Sequence, residues 1–359
     1  MSNRPELENL VRDFRAGRGW SQDDLARRSG LSRTGISAIE SGRLVPSTTA
    51  ALSLALAFSC RVEELFSIPR GEDQGEEWAL APPRFPCRYW RAEVDRRVRL
   101  YPVEAGALGV SAHDGVASDV VERVETRVSV SERPDPRATL VIATCDPAIG
   151  LLAQELSRTS NFRVLALRRS SRKALSLLKQ GLVHAAGLHL GSGENSEGNM
   201  AAVREILGGG HHLVKAARWE EGVAVGQGCK VRTIGEAVAS KLRWVGREEG
   251  SGARECLDEL LGARTPPRHQ ATDHQGVAEA LRAGWADLGV CLRLTSEEAG
   301  LGFLKAREES YDLAVPDRFL DDPRLQALLT LMRSQAYRRL LGELPGYGSR
   351  ETGEVQAVV

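Results

Sequence analysis

The stretch "WSQDDLARRSGLSRTGISAIESGRLVPS", Trp20 to Ser47, carries the densest pattern in the chain. Ser21 stands where a helix wants an N-cap. Asp24, three residues on, can return a contact to the cap's backbone N–H, a capping box with Asp in place of the longer Glu. Leu25 and Ala26 are spaced to face inward, and Gly30 can take the left-handed conformation that ends a helix. Ser32 then caps a second helix whose inner face is Ile36 and Ile39. Two short helices around a Gly-containing turn have helix-turn-helix geometry. The second helix presents Arg33, Thr34 and Ser37 outward, with Gln22 and Arg43 as flanking donors, all able to reach base edges or phosphates.

Around this segment, from Pro5 to Phe66, apolar residues recur at helical spacing in short bursts: Leu7, Leu10, Val11 and Phe14; Leu52, Leu54, Ala55 and Phe58. About five short helices in a compact all-α unit are predicted, with bounds 5–68. Ser21-Gln22, Leu25-Ala26, Gly30, Ser32, Ile36, Ile39-Glu40-Ser41-Gly42 and Pro46 together closely resemble the Cro/C1-type (Xre) helix-turn-helix family. The resemblance runs from about Leu7 to Phe66. It implies that Gln22, Ser32, Arg33, Thr34, Ser37 and Arg43 contact double-stranded DNA. The unit's positive charge is modest, so affinity is expected to need a homodimer, with recognition helices roughly 34 Å apart on a palindromic operator.

"PRGEDQGEE", Pro69 to Glu77, breaks the pattern and predicts a linker. "CRYWRAEV", "RRVRLYPV" and "VVERVETRVSV" then alternate in β fashion, and "SERPDPRA" interrupts any ladder with prolines. Residues 69–137 are accordingly expected as linker and small β-rich connector. From 138 to 345 the chain alternates strand and helix, as in "TLVIAT" then "AIGLLAQELSR", "FRVLAL" then "RKALSLLKQG", and "LRWVG" then "ARECLDELLG". That order predicts an α/β domain, whose ligands bind in turns at the carboxyl ends of strands. Residues 346–359 are expected as a flexible polar tail.

Three of those turns carry short polar residues before a helix: Thr144 and Asp146; Ser170 and Ser171; and Ser251 between Gly250 and Gly252 in "REEGSGARE". Hydroxyls and helix-start N–H groups make a neutral donor pocket suited to an oxyanion. A Gly-Ser-Gly turn also joins strand to helix with no ligand at all, and Arg254 can pair with Asp258 on its own helix surface.

"SSRKALSLLKQG" with "AAGLHL", "REEGSGAR", "DHQGVAEALRAGWADLGV" and "YDLAV" resemble the periplasmic-binding-protein-like domain related to molybdate-binding proteins, from about Leu140 to Pro316. The resemblance implies two α/β lobes closing on a small ligand. Thr144, Ser170, Ser171, Ser251, Gly252, Arg254, His274 and Tyr311 are the site candidates. Where such proteins commonly show Asn-Arg before the Gly-Ser-Gly turn this chain has Gly246-Arg247, and where Thr precedes His it has Asp273. A carboxylate facing an oxyanion repels it; Asp273 either caps the helix at His274 or meets the ligand, and Asp146 is read as a cap.

Lys plus Arg balance Asp plus Glu at 48 each, so no bulk charge demands nucleic acid or membrane. The six cysteines are dispersed, as for reduced cytosolic thiols, and Cys145 reads as a small packing residue lacking a positioned base. His184, His189, His211 and His212 share no ligand spacing with Cys or carboxylates, so no metal site is expected. No catalytic set emerges. The N-terminus lacks a signal-peptide core and no apolar run approaches the roughly 20 residues of a membrane helix, so a cytoplasmic protein is expected. The leading expectation is a regulator sensing molybdate or tungstate, with no other cofactor. The alternatives are a sensor of a small organic ligand, a molybdenum-cofactor-related enzyme localised by its helix-turn-helix unit, or an adaptor whose helical unit binds protein.

Overall fold

The computed structural model of the chain describes residues 7–67, 76–104, 112–118, 134–190, 197–262 and 266–358. These residues form two compact units, 7–67 and 76–358.

In the first unit β1 (Glu8–Asn9) is followed by α1 (Val11–Gly17), α2 (Gln22–Ser29), α3 (Arg33–Glu40), α4 (Thr48–Phe58), α5 (Val62–Leu65) and β2 (Phe66–Ser67), which pairs antiparallel with β1. The predicted punctuation is present. Ser21 accepts the Asp24 N–H at 3.1 Å while Asp24 accepts the Ser21 N–H at 2.9 Å, completing the capping box. Gly30 ends α2 at φ 69°, and Ser32 accepts the Gly35 N–H at 3.0 Å to start α3. Val11, Leu25, Ile36, Ile39, Leu54, Ala55, Phe58 and Leu65 form the core. A helix pair this short is stable only because that face is buried.

The second unit opens with β3 (Glu77–Trp78), β4 (Cys87–Val94), β5 (Arg97–Pro102) and β6 (Gly115–Ala117), a four-stranded sheet in the order β3-β5-β4-β6. This is the expected β-rich connector. The "VVERVETRVSV" run lies outside the described residues. The connector is not a separate body: Tyr101 donates to the Leu182 carbonyl at 2.6 Å, Arg163 to Asp114 at 2.8 Å, and His184 Nε2 meets the Glu93 carbonyl at 2.9 Å.

The α/β part is built on β7 (Thr139–Thr144), α6 (Ile149–Thr159), β8 (Arg163–Arg168), α7 (Ser171–Lys179), β9 (Ala185–Leu188) and α8 (Glu197–Leu207), then β10 (His211–Val225). It continues through α9 (Ile234–Ala239), β11 (Trp244–Arg247), α10 (Gly252–Leu261), β12 (Gln270–Ala271), α11 (His274–Arg282), β13 (Leu288–Leu292), α12 (Arg293–Glu298) and β14 (Gly302–Pro316). Helices α13 (Pro323–Arg333) and α14 (Gln335–Gly342) precede β15 (Tyr347–Gly348) and β16 (Val355–Val358). The sheet order is β12-β11-β13-β10-β14-β9-β7-β8. Parallel β7, β8 and β9 form one lobe and parallel β11, β12 and β13 the other, each around its own apolar clusters. The 15-residue strands β10 and β14 pair antiparallel through both lobes, with register shifts at Lys215/Ala217 and Glu221/Gly222.

One expectation needs correction. The polar tail is ordered: β15 and β16 both pair with β10, Lys215 N–H reaches the Glu354 carbonyl at 2.9 Å, and Thr352 is buried. Side-chain polarity did not reveal that β10 offers backbone partners to this segment. Strand β10 itself was not singled out, because charged Arg218, Glu220 and Glu221 interrupt its alternation.

Candidate functional site

On α3, Ser32, Arg33 and Thr34 are exposed and Ser37 half-buried, while Arg43 is exposed just beyond. Not all their capacity is free for bases. Gln22 donates to Glu40 at 2.9 Å, Arg33 sits 3.6 Å from Asp23, and Arg43 donates to Ser41 at 2.9 Å. Glu40 also takes two hydrogen bonds from Arg15, at 2.6 and 3.1 Å, fixing α3 against α1. Burial opposes ionisation of Glu40, but Arg15 and Gln22 outweigh it and hold the carboxyl below its usual range. Hence α3 is a rigid platform with a polar outer face.

Between the lobes of the second unit lies a cleft of about 610 Å³. The β7–α6 turn contributes Cys145, the end of β8 Arg168, the β8–α7 turn Arg169 and Ser170, and α7 Lys173. The opposite lobe contributes Glu248 after β11 and Thr272 and Asp273 before α11. Ion pairs cross the opening: Lys173 to Glu248 at 2.6 Å and Arg168 to Asp273 at 3.4 Å. Arg169 turns to Glu104 of the connector at 2.7 Å. The backbone closes as well, with Arg172 N–H on the Gly250 carbonyl at 3.2 Å. Gly252 is required here, since a Cβ would lie 2.1 Å from the His189 carbonyl oxygen.

Beneath the cleft, where β10 crosses β14, is a buried polar network. His189 Nδ1 lies 2.8 Å from Glu309, which also accepts Trp219 Nε1 at 3.1 Å. Arg307 bridges Glu309 at 2.5 Å and Glu221 at 3.1 Å. Arg247 donates to His274 Nδ1 at 3.0 Å, and Trp219 stacks on Tyr311 with ring centroids 4.4 Å apart. Burial opposes a charge on His189, but Cys145 and the Glu309 carboxylate outweigh it and push its pKa well above the ordinary value. Burial and Arg247 push that of His274 well below. Burial likewise raises Glu221 to about 8.

Residues 11–65 match the helix-turn-helix family and residues 153–333 the PBP superfamily domain, half of the chain. The chain belongs to the PBP superfamily. The uncharacterised protein YvgK of Bacillus subtilis (strain 168) is 28% identical over 232 residues, 62% of this chain and 75% of its own length. The HTH-type transcriptional regulator YgzD of the same organism is 40% identical over 60 residues, 17% of this chain and 91% of its own. Among solved structures, an ABC-type phosphate transport receptor from Vibrio cholerae aligns at 14% identity and TM-score 0.41, over 58% of this chain and 99% of that one. Tungstate binding protein TupA from Desulfovibrio alaskensis G20 aligns at 14% and 0.42, over 58% and 98%. Likeness this loose says nothing about the ligand here. The chain thus joins a helix-turn-helix regulator unit to a PBP ligand-binding domain, and among the described residues no helix is long and apolar enough to cross a membrane.

The sequence-predicted residues of the PBP domain gather around this cleft, yet most spend their polar atoms on its framework. Thr144 accepts the Asp146 N–H at 3.0 Å and bonds Tyr311, and Ser171 accepts the His189 N–H at 3.2 Å. Ser251 caps α10, accepting the Arg254 N–H at 3.2 Å and donating to the Glu248 carbonyl at 2.9 Å. Arg254 pairs with Asp258 at 2.8 Å. Asp273 caps α11 through the Gly276 N–H at 2.7 Å, the first of its two readings, and also pairs with Arg168 at 3.4 Å. Asp146 accepts the Ala148 N–H at 2.8 Å and the Tyr347 hydroxyl at 2.7 Å. Of the eight ligand candidates only Ser170 lines the cleft, and its buried Oγ has no hydrogen-bond partner among the described residues.

The neutral donor pocket is therefore replaced by a charged one, with three cations facing two carboxylates. Cys145, expected as packing, packs against the apolar core and is also half-exposed on the cleft wall. It lies beside His189, and with Glu309 it contributes to the raised pKa of that ring. Sequence spacing gave His189 no carboxylate partner, but the fold brings two to it. His189, Glu221 and Glu309 bring their ligating atoms within 4.8 Å of one another, and Arg307 already supplies the cation those two carboxylates share. Arg168, Arg169, Lys173, His189 and Arg247 were missed as site residues. Lone cations before helices are common in sequence, and only the "RR" before "SS" at Arg168-Arg169 marked a charged turn.

Proposed function

We propose that the chain is a one-component transcriptional regulator in which a small anionic ligand, held in the PBP cleft, sets the operator affinity of paired helix-turn-helix units. The observation that carries this reading is Ser170: a buried hydroxyl without a hydrogen-bond partner among the described residues, on the wall of the cleft that Arg168, Arg169 and Lys173 also line. A ligand anion supplies the missing acceptor and exchanges with Asp273 and Glu248 for those cations. Coupling requires only that the ligand prefer one cleft geometry over another. The DNA contacts are assigned to Gln22, Ser32, Arg33, Thr34, Ser37 and Arg43, acting in a cytoplasmic homodimer. The domain binds rather than turns over its ligand.

Molybdate or tungstate follows from the family resemblance. The cleft volume favours a second ligand reading, a small organic anion, because roughly 300–1,000 Å³ is the space that drug-sized ligands fill. A thermal-shift series with molybdate, tungstate, phosphate, sulfate and organic acids separates the two. Fluorescence anisotropy on the DNA upstream of the coding region, with and without the stabilising anion, tests the regulator: specific binding whose affinity changes with the anion is expected. Equal binding to scrambled DNA under both conditions would overturn it.

A further inference from the structure

The charges lining the cleft are sorted by lobe. Arg168, Arg169 and Lys173 stand on the lobe of β7, β8 and β9, and Glu248 and Asp273 on the lobe of β11, β12 and β13. The hydroxyls divide in the same way, with Ser170 on the cationic wall and Thr272 on the acidic one. Both interlobe ion pairs therefore run in one sense, Lys173 to Glu248 at 2.6 Å and Arg168 to Asp273 at 3.4 Å. Arg169 instead spends its charge on Glu104 of the connector.

Exposure within each interlobe pair is uneven. The Lys173 and Arg168 side chains are 60% and 47% exposed, and their partners Glu248 and Asp273 only 16% and 29%. The cations are long arms reaching toward solvent, whereas the carboxylates are the more enclosed members. Asp273 is also held in place, because its other oxygen caps α11 through the Gly276 N–H at 2.7 Å. An anion that draws both cations to itself leaves two half-enclosed carboxylates unpaired and facing it, a cost set against every contact the anion makes. A ligand that brings a cation of its own removes that cost. The cleft of about 610 Å³ has room for a molecule with two ends.

We propose that the ligand of this cleft is a small organic zwitterion, its carboxylate or phosphate held by Ser170, Arg168 and Lys173 and its ammonium by Glu248 and Asp273. The assignment deepens the reading of the cleft as an anion site and rests on it. Glu248 and Asp273 are then the residues that determine specificity: they pair with the zwitterion and stand as unpaired charges against the matching plain anion.

Isothermal titration calorimetry on the full chain tests this with two matched pairs of probes, phosphoethanolamine against glycerol phosphate and γ-aminobutyrate against butyrate. The first pair carries its anion as phosphate and the second as carboxylate, so the pair that binds identifies the anionic end. Within that pair the ammonium-bearing member is expected to bind roughly tenfold or more tightly. Glu248→Gln combined with Asp273→Asn keeps the side-chain shapes and leaves Asn to cap α11. This double variant is expected to abolish the preference, weakening the zwitterion and strengthening the plain anion. Should it fail to fold, Glu248→Gln alone is expected to reduce the preference in the same direction. Lys173→Gln is expected to weaken both members of the pair. Equal binding within each pair, or a preference that survives these carboxylate substitutions, overturns the zwitterion and leaves the anion cleft standing. Tighter binding of molybdate or inorganic phosphate than of either zwitterion does the same. A chain that binds none of these probes overturns both.

Discussion

The helix-turn-helix unit and the ligand cleft are opposite solutions to presenting polar groups. On α3 the polar residues point into solvent from a platform fixed by an apolar core and one ion-pair cluster, Arg15–Glu40–Gln22. In the cleft the polar residues are folded inward and held by one another, with Glu221 and Glu309 fully buried around Arg307. A surface reader tolerates loss of one partner. A buried network does not, because each remaining charge is left in a medium that cannot solvate it.

The largest expected effect is therefore at Arg307. Arg307→Met should remove about 3–5 kcal/mol from the unfolding free energy of the PBP domain in urea, while the transition of the helix-turn-helix unit stays in place. A loss below about 1 kcal/mol would mean that Glu221 and Glu309 find other partners and that the two regions are less different than they look. Next comes Arg33→Ala, which should cost roughly 1–3 kcal/mol of operator affinity and leave both unfolding transitions unchanged. If it instead destabilises its unit, the Asp23 contact matters more than DNA.

A smaller effect separates the regions by pH. The Asp146 residue is part-exposed, but its carboxyl is enclosed, and burial pushes it up to about 6. Its unfolded value is near 4, so the native state holds the proton more tightly. That contribution to stability is complete below about pH 4 and is lost as pH rises to about 6. Lowering the pH from 6 to 5 should thus give the PBP domain about 1 kcal/mol relative to Asp146→Asn, measured as the difference between their urea transitions. The smallest effect is Ser21→Ala, expected to cost the helix-turn-helix unit about 1 kcal/mol through its lost cap, detected by thermal unfolding.

The same contrast explains what could be read in advance. Helix caps, Gly30 and the Ile36/Ile39 face act over one or two turns, so the sequence between Trp20 and Ser47 already contains every partner they use. The strand–helix alternation and the turns bearing Ser170 and Ser251 were legible for the same reason. His189 and Glu309 are separated by 120 positions and Arg247 and His274 by 27, and no local pattern joins them. Ser251 looked like a ligand hydroxyl because a cap and an anion donor need the same residue in the same place. β16 was read as a loose tail because its pairing depends on the far strand β10.

Strands β10 and β14 each run through both lobes, so neither lobe is a continuous piece of chain. Exchanging one lobe with a relative by a single crossover would always split this ladder and import half of a foreign hinge. Changes of ligand preference in such a chain are then expected to accumulate residue by residue in the βα turns, whereas residues 11–65, the run that matches the helix-turn-helix family, can be traded whole.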